Sequence, residues 1–244
     1  MIAARQIFFG GAAAKLPNVV KSMCGVGGSR EGFCTDGLSI MPMPITMTMW
    51  FKNDIYTNLN GLSKSILKYG NISSGVGFGQ FKASSNNLYQ TAAVVEARYW
   101  ASYSSVSTPT DYAWHHLALI VKSGTNPLSG AVYIDGVSRS YVAGGGSDAI
   151  VTPTGAFSIC GRAGGYQYED PSAKVLACRV CIFNGEMSAA AIAADMALGA
   201  KAPKGELLHY YDGTLDNGML MDLVGNWHLT ATSGSTIENE TPWS

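Results

Sequence analysis

Residues 45–51, with the sequence ITMTMWF, alternate strictly between large apolar side chains and other side chains. Ile45, Met47, Met49 and Phe51 occupy every second position, with two threonines and a tryptophan between them. Successive side chains of a β-strand point to opposite faces of the sheet. The stretch therefore predicts a β-strand that turns one face towards a hydrophobic core.

Similar short runs, each bounded by Asn, Ser or Gly, recur along the chain from about residue 33 onward. Charged residues make up only 14% of the chain, against roughly 25% in an average soluble protein. The 29 glycines and 12 tyrosines favour short strands and turns over helices, whose outer faces need Glu and Lys. We predict an all-β fold, an antiparallel jelly-roll β-sandwich.

One segment, NGEMSAAAIAADMALGAKAP, has a helical signature. Ser188 is a good N-cap, and Ile192 and Met196 stand four residues apart on one helical face. Gly199 is a typical C-terminal stop, and a proline follows it. These residues predict one short helix near residues 188–198.

The charge distribution argues against nucleic acid as a partner. The formal net charge is −1, and Lys and Arg form no cluster that could follow a phosphate backbone. No apolar run approaches the roughly 20 residues that span a bilayer, so we expect no membrane partner. The N-terminal stretch MIAARQIFFGGAAAKLP loosely imitates a secretory signal, but Gly10 and Gly11 break its apolar part. An N-terminal arm is the favoured interpretation.

The stretch WHHLALIVKSGTNPLSGAVYIDGV gathers side chains that could suggest an active site. In a strand, however, His115 and His116 project to opposite faces and cannot bind one ion or relay one proton. Asp135-Gly136 stands between two strand-like runs, and this pair favours a type I′ hairpin turn, so Asp135 is interpreted as a turn former. Trp114 shares the register of His116 and is expected to anchor the core.

The five cysteines, at positions 24, 34, 160, 178 and 181, show no disulfide framework spacing. The CRVC segment at 178–181 invites a redox or zinc interpretation. In a regular strand, however, residues three apart point to opposite faces, and no second CxxC is present to complete a zinc site. We expect unpaired structural cysteines and no metal.

Catalytic motifs are missing from the sequence. There is no nucleophile elbow, phosphate-binding loop, zincin motif or dinucleotide fingerprint. A sandwich glycosidase needs two carboxylates that project into one cleft, and the only alternating pair of glutamates, Glu238 and Glu240, stands in a polar tail. We predict that the protein is not an enzyme and uses no cofactor, and a sandwich glycosidase is a remote alternative.

Aromatic residues near apparent strand ends are the candidate ligand or partner contacts, because exposed rings can stack on sugars or on a protein partner. They are Tyr99, Trp100, Tyr103, Tyr166 and Tyr168.

The order of five motifs resembles the laminin-G-like, concanavalin A-like jelly rolls of the pentraxin-like superfamily. The motifs are ITMTMWFK (45–52), WHHLALIV (114–121), VYIDGV (132–137), FSICGRA (157–163) and VCIFNGEMSAAAIAADMALG (180–199). The resemblance implies a jelly roll over residues 33–200 that serves as a scaffold for binding or assembly. Cys178 and Arg179 stand where such proteins often carry acidic residues, which argues against calcium there. Ala191 replaces the Glu of the usual capping box.

The C-terminal segment, GELLHYYDGTLDNGMLMDLVGNWHLTATSGS, resembles the extension that follows such domains in bacteriophage structural proteins. We therefore divide the chain into an arm and first strand (1–32), the jelly roll (33–200) and C-terminal strands that complete the same sandwich (201–244). The favoured function is a non-enzymatic virion structural or decoration protein. Its partners would be other virion proteins or copies of itself.

In this interpretation the apolar arm, with Ile7, Phe8 and Phe9, anchors the protein during assembly, and the protein is located in the virion. The alternative function is a lectin-like, carbohydrate-binding module, either secreted to the extracellular space or mounted on a virion, which would bind a cell-surface glycan.

Overall fold

The structure is a computed structural model. It describes residues 20–26, 32–39, 41–54, 63–71, 74–81, 92–94, 103–107, 113–122, 130–139, 142–144, 155–161, 174–232 and 234–244. Within these ranges, no helix has the length and apolar character that crossing a membrane requires.

The described residues form eighteen β-strands and one α-helix. The strands are β1 (Ser22–Val26), β2 (Phe33–Asp36), β3 (Ile45–Asp54), β4 (Ser63–Asn71), β5 (Ser74–Phe81), β6 (Ala92–Val94), β7 (Tyr103–Ser107), β8 (His115–Val121), β9 (Ala131–Ile134), β10 (Val137–Arg139), β11 (Val142–Gly144), β12 (Ala156–Ile159), β13 (Lys174–Asn184), β14 (Leu207–Tyr211), β15 (Leu215–Asp216), β16 (Met219–Leu220), β17 (Leu229–Ala231) and β18 (Ser235–Glu238). The helix is α1 (Ala189–Ala197), between β13 and β14.

The strands form two antiparallel sheets, which confirms the predicted all-β jelly-roll sandwich. Sheet A has the order β10-β9-β8-β3-β13-β1-β18, and β14 also pairs with β13. Sheet B has the order β11-β7-β6-β5-β4-β12-β2-β17-β16-β15. Strands that are distant in sequence are therefore neighbours in both sheets.

The hydrophobic core lies between the two sheets, and β3 shows why. Ile45, Met47, Met49 and Phe51 are completely buried in this core, as their alternation predicts. Sheet B contributes fully buried side chains such as Leu67 to the same core. The core is thus made from the side chains of both sheets that point towards the space between them.

The outer face of sheet A is covered by helix α1. Ala118 and Ile120 of β8 pack there against Ile192 in a small second cluster. The expectation that Trp114 anchors the core between the sheets needs correction. Residues of β8 in the same register as Trp114, such as Ala118, lie under the helix instead. Trp114 itself is half-buried.

The local signals for the helix and the hairpin are confirmed. The Ser188 hydroxyl accepts a hydrogen bond from the Ala191 N–H at 3.2 Å, so a serine cap replaces the missing capping box. Gly199 adopts a φ of 57° just after the helix. Asp135 and Gly136 have φ angles of 53° and 73°, which a type I′ turn between β9 and β10 requires.

The C-terminal residues contribute to both sheets. β14 pairs with β13 and β18 pairs with β1 in sheet A, whereas β17 pairs with β2 in sheet B. Tyr211, Leu220 and Leu229 from this part of the chain are completely buried in the main core. The core is therefore built from residues on both sides of position 200.

We expect that a chain ending at residue 200 does not fold. It would lose three fully buried core side chains, each worth about 1.5–3 kcal/mol, together with the partners of β1, β2 and β13. Circular dichroism and denaturant unfolding measure the effect. A chain ending at residue 238, which keeps every strand, is the matched control and should unfold cooperatively. Cooperative unfolding of the shorter chain would contradict this account.

Candidate binding end of the sandwich

Strand directions define two ends of the sandwich. Because neighbouring strands are antiparallel, β8 begins where β3 ends, and the β9–β10 turn lies at the same end. Near this end the rings of Phe51 in β3 and Phe78 in β5 lie 5.1 Å apart, so β5 of sheet B finishes here too. We call it the His115 end. The connections that start and finish at described strands of this end are residues 27–31, 55–62, 82–91, 108–112 and 162–173.

A histidine and an aspartate are joined at the His115 end. His115 Nδ1 lies 2.7 Å from Asp135 Oδ2, and the other oxygen of this carboxylate accepts the His116 N–H at 2.9 Å. The His115 side chain is 13% exposed and that of Asp135 is 41% exposed. The turn carboxylate is thus fixed to the first two residues of β8 while it remains accessible to solvent.

This arrangement has a defined chemistry. An ionised carboxylate only accepts hydrogen bonds, so a neutral His115 donates from Nδ1, and its Nε2 is then an acceptor. The ring also lies against the core, 6.1 Å from the ring of Phe51. The Asp135 carboxylate can offer hydrogen-bond acceptors to a polar ligand from a rigid position. No three His, Cys, Asp or Glu side chains of the described segments are grouped as metal ligands.

The sequence-predicted site residues fall largely outside the described residues. This holds for Tyr99, Trp100, Tyr166, Tyr168, Ile7, Phe8 and Phe9, and Tyr103 begins β7 with a side chain that is not described. The strands around them can still be compared. β12 ends and β13 begins at the His115 end, whereas β6 ends and β7 begins at the opposite end. The two aromatic groups are therefore attached to strands at opposite ends of the sandwich.

Sequence reasoning separated His115 from His116, and the structure confirms that separation: His116 is fully buried under the helix, and His115 lies at the core rim. The reasoning missed the contact between His115 and Asp135. The sequence did contain a signal for this contact. If β9 pairs antiparallel with β8, the Asp135-Gly136 turn that follows β9 lies beside the beginning of β8.

A buried ion pair fixes the helix to sheet A. Arg179 of β13 is completely buried, and its Nη1 and Nη2 donate to the two oxygens of Asp195 at 3.1 and 2.8 Å. Arg179 Nε donates to the Lys201 carbonyl at 3.1 Å, and the Thr48 hydroxyl donates to Asp195 at 2.9 Å. His116 Nε2 lies 3.5 Å from the same carboxylate, which is too long for a strong hydrogen bond.

The expected orientation of the CRVC cysteines is wrong, and a β-bulge is the reason. Arg179 has a φ of 49°, and the register with β3 shifts between Cys178 and Cys181. Cys178 therefore pairs with Trp50 and Cys181 with Thr48, two residues on the same outer face. Both cysteines are free and completely buried, in agreement with a structural role.

Burial and charge set the pKa values in this cluster. Burial raises the pKa of the Cys181 thiol to about 12, despite the nearby Arg179 guanidinium, so the thiol is protonated and unreactive. Burial alone would also raise the pKa of Asp195. The nearby His116 ring, the hydrogen bonds from Arg179 and Thr48 and the charge of Arg179 outweigh it and hold that pKa well below its usual value. The stability that Asp195 contributes is thus present at neutral pH and is lost only in strong acid.

A second buried carboxylate organises the opposite end. Asp222 Oδ2 lies 2.6 Å from His209 Nδ1, and the His209 ring stacks on Trp227 with centroids 4.2 Å apart. The remaining donors to this carboxylate are the backbone N–H groups of Tyr210, Val224, Gly225 and Trp227. With five donors the carboxylate is saturated, so its role is to hold the loop closed over the core.

A family model, described as the concanavalin A-like lectin/glucanases superfamily, matches residues 28–193. The chain belongs to this superfamily. No curated protein sequence matches the chain.

Two solved structures share the fold. A proposed carbohydrate-binding protein from Bacteroides ovatus aligns with a TM-score of 0.55 and 15% identity, over 91% of this chain and 60% of its own. The chain therefore spans less than two thirds of that protein. The heptameric SAP-like pentraxin of Limulus polyphemus aligns with a TM-score of 0.51 and 11% identity, over 91% of this chain and 96% of its own. At these identities the similarity shows the fold alone.

Removing Arg179 should destabilise the protein strongly. Arg179→Met leaves the buried Asp195 carboxylate without its counter-ion, and we expect the free energy of unfolding to fall by about 3–5 kcal/mol. The double variant Arg179→Met with Asp195→Leu removes both charges and should recover at least half of the loss. Urea unfolding at pH 7 measures both. A loss below about 1 kcal/mol for the single variant would show that the pair does not hold the helix.

Proposed function

We propose that this protein is a non-enzymatic carbohydrate-binding module that holds a glycan at the His115 end. The observation that carries the proposal is membership in a superfamily of lectins and glucanases, together with a fold shared with a proposed carbohydrate-binding protein. The His115 end supports the location, because five connections meet described strands there. Loops on a rigid sandwich are where binding residues concentrate.

The chemistry at this end suits a sugar. The Asp135 carboxylate is 41% exposed and rigidly held, and can accept hydrogen bonds from sugar hydroxyls. Tyr166 and Tyr168 belong to the connection between β12 and β13 and can stack on the apolar face of a pyranose ring. A net charge of −1 with few charged residues favours a neutral, hydroxyl-rich ligand over a strongly charged one.

Two buried carboxylates are unavailable for hydrolysis, which favours binding. A sandwich glycosidase needs two carboxyl groups that face one bond. Asp195 is paired with Arg179, and Asp222 is saturated by five donors, so neither can act on a substrate. Turnover of a polysaccharide that is abolished by a single Glu→Gln change would overturn the non-enzymatic assignment.

A glycan array, followed by titration calorimetry with the best ligand, tests the proposal. We expect the double change Tyr166→Ala and Tyr168→Ala to weaken binding about tenfold or more, because each stacked ring contributes about 0.5–1.5 kcal/mol. Asp135→Asn should also weaken binding, and Asn still tolerates the left-handed turn conformation. The matched control is Tyr99→Ala with Trp100→Ala, at the opposite end, which should bind normally. No glycan retained at millimolar concentration, or loss only in the control, would contradict the proposal.

A second candidate function is a structural or decoration protein of a bacteriophage virion that carries this module. Two exposed apolar side chains of one short C-terminal stretch, Met219 and Val224, favour contact with another protein. Mass photometry of the purified protein and electron microscopy of particles that contain it test this role. A protein that stays monomeric and enters no particle would contradict it.

A further inference from the structure

The edge of sheet B carries an apolar surface without a partner among the described residues. Among the described strands, β15 is the last of the sheet and pairs only with β16. Four large hydrophobic side chains of the described residues are well exposed, and three lie within ten residues: Leu215 at 46%, Met219 at 37% and Val224 at 46%. Of these, Leu215 lies on the inner face of the sheet, Met219 pairs with Asp216 and lies on the outer face, and Val224 lies in the loop held by Asp222. The fourth, Val137 at 55%, belongs to the separate β9–β10 hairpin.

The geometry of β15 explains the exposure. Leu215 pairs with Leu220, which is completely buried in the main core, so Leu215 points along the same inner face of the sheet. It is exposed because no further strand of the described chain lies beside β15. The inner apolar face of sheet B thus extends to Leu215 on the edge strand β15. Among the described strands, the outer backbone edge of β15 has no strand paired with it. Such an edge is suited to receive an additional strand.

The N-terminal arm enters the described structure next to this edge. The Lys21 N–H donates to the Asp212 carbonyl at 2.8 Å. A Cβ placed on Gly213 would lie only 2.8 Å from Lys21 Cβ, so the two backbones touch. Residue 213 stands just before β15. The ten residues between Phe9 and Val20 can extend about 33 Å, which is ample to bring Ile7, Phe8 and Phe9 alongside β15.

Charge also favours this occupant. Residues 1–19 contain Arg5 and Lys15 and no acidic residue, whereas residues 212–220 contain Asp212 and Asp216 and no basic residue. Asp216 of β15 is exposed, and Asp212 Oδ2 is buried without a hydrogen-bond partner among the described residues. A basic, apolar segment complements an acidic, apolar edge.

We propose that residues 7–9 of the arm bind along β15 of the same chain and cover Leu215, with Arg5 or Lys15 facing Asp216. The short connection to Val20 gives the arm of the same chain a high effective concentration at this edge, which favours it over the arm of a second copy. This inference is independent of the glycan-binding proposal, since it concerns another part of the sandwich.

Paired cysteines test the contact directly. Phe8→Cys with Leu215→Cys should form a disulfide within one chain under mild oxidation, identified by peptide mapping and by the monomer mass. Phe8→Cys with Val137→Cys is the matched control, because Val137 is even more exposed than Leu215 but lies in the hairpin of sheet A. Equal yields for the two pairs would overturn the proposal. A disulfide between two chains would instead assign the arm to a second copy and overturn binding within the chain.

Hydrogen exchange provides a second readout that needs no oxidation. Ile7→Asp with Phe9→Asp should increase the exchange rates of the amides of residues 214–220 at least tenfold and leave those of residues 132–139 unchanged. These substitutions lie outside the described core, so folding should persist. Unchanged exchange at residues 214–220 would overturn the proposal.

Discussion

The structure depends on one constraint, the packing of the inward-facing side chains of two antiparallel sheets against each other. Alternation commits every second residue of each strand to that interface. The strands that provide it come from the beginning, the middle and the end of the chain, since β13 pairs with both β1 and β14 and β2 pairs with β17. We propose that the arm, jelly-roll and C-terminal segments act as one folding unit.

A second layer of the structure depends on a buried ion pair. Helix α1 covers part of the outer face of sheet A, and Asp195 of that helix reaches Arg179 on the bulge of β13. The same bulge places both CRVC cysteines in register with residues of the outer face of sheet A. One local distortion of a strand therefore determines where the helix docks and why the thiols are buried and unreactive.

Much of the fold could be predicted from local patterns. The alternation of β3, the Asp135-Gly136 turn and the Ser188 cap each depend on neighbouring residues, and all three are confirmed. The bulge could not be predicted in this way, because arginine has no preference for a positive φ and tertiary contacts impose it. The pair of His115 and Asp135 also depends on strand pairing. The aromatic residues predicted to bind a ligand remain predictions, and they are attached to strands at opposite ends.

The central claim is that a rigid sandwich presents a glycan-binding end beside His115. Nuclear magnetic resonance of the labelled protein, titrated with a glycan selected on an array, tests it most directly. The account predicts that amide shifts concentrate at residues 113–116 and 135–137, while the Asp222 loop at residues 222–228 does not respond. Shifts confined to residues 222–228, or no shifts at saturating glycan, would contradict the claim.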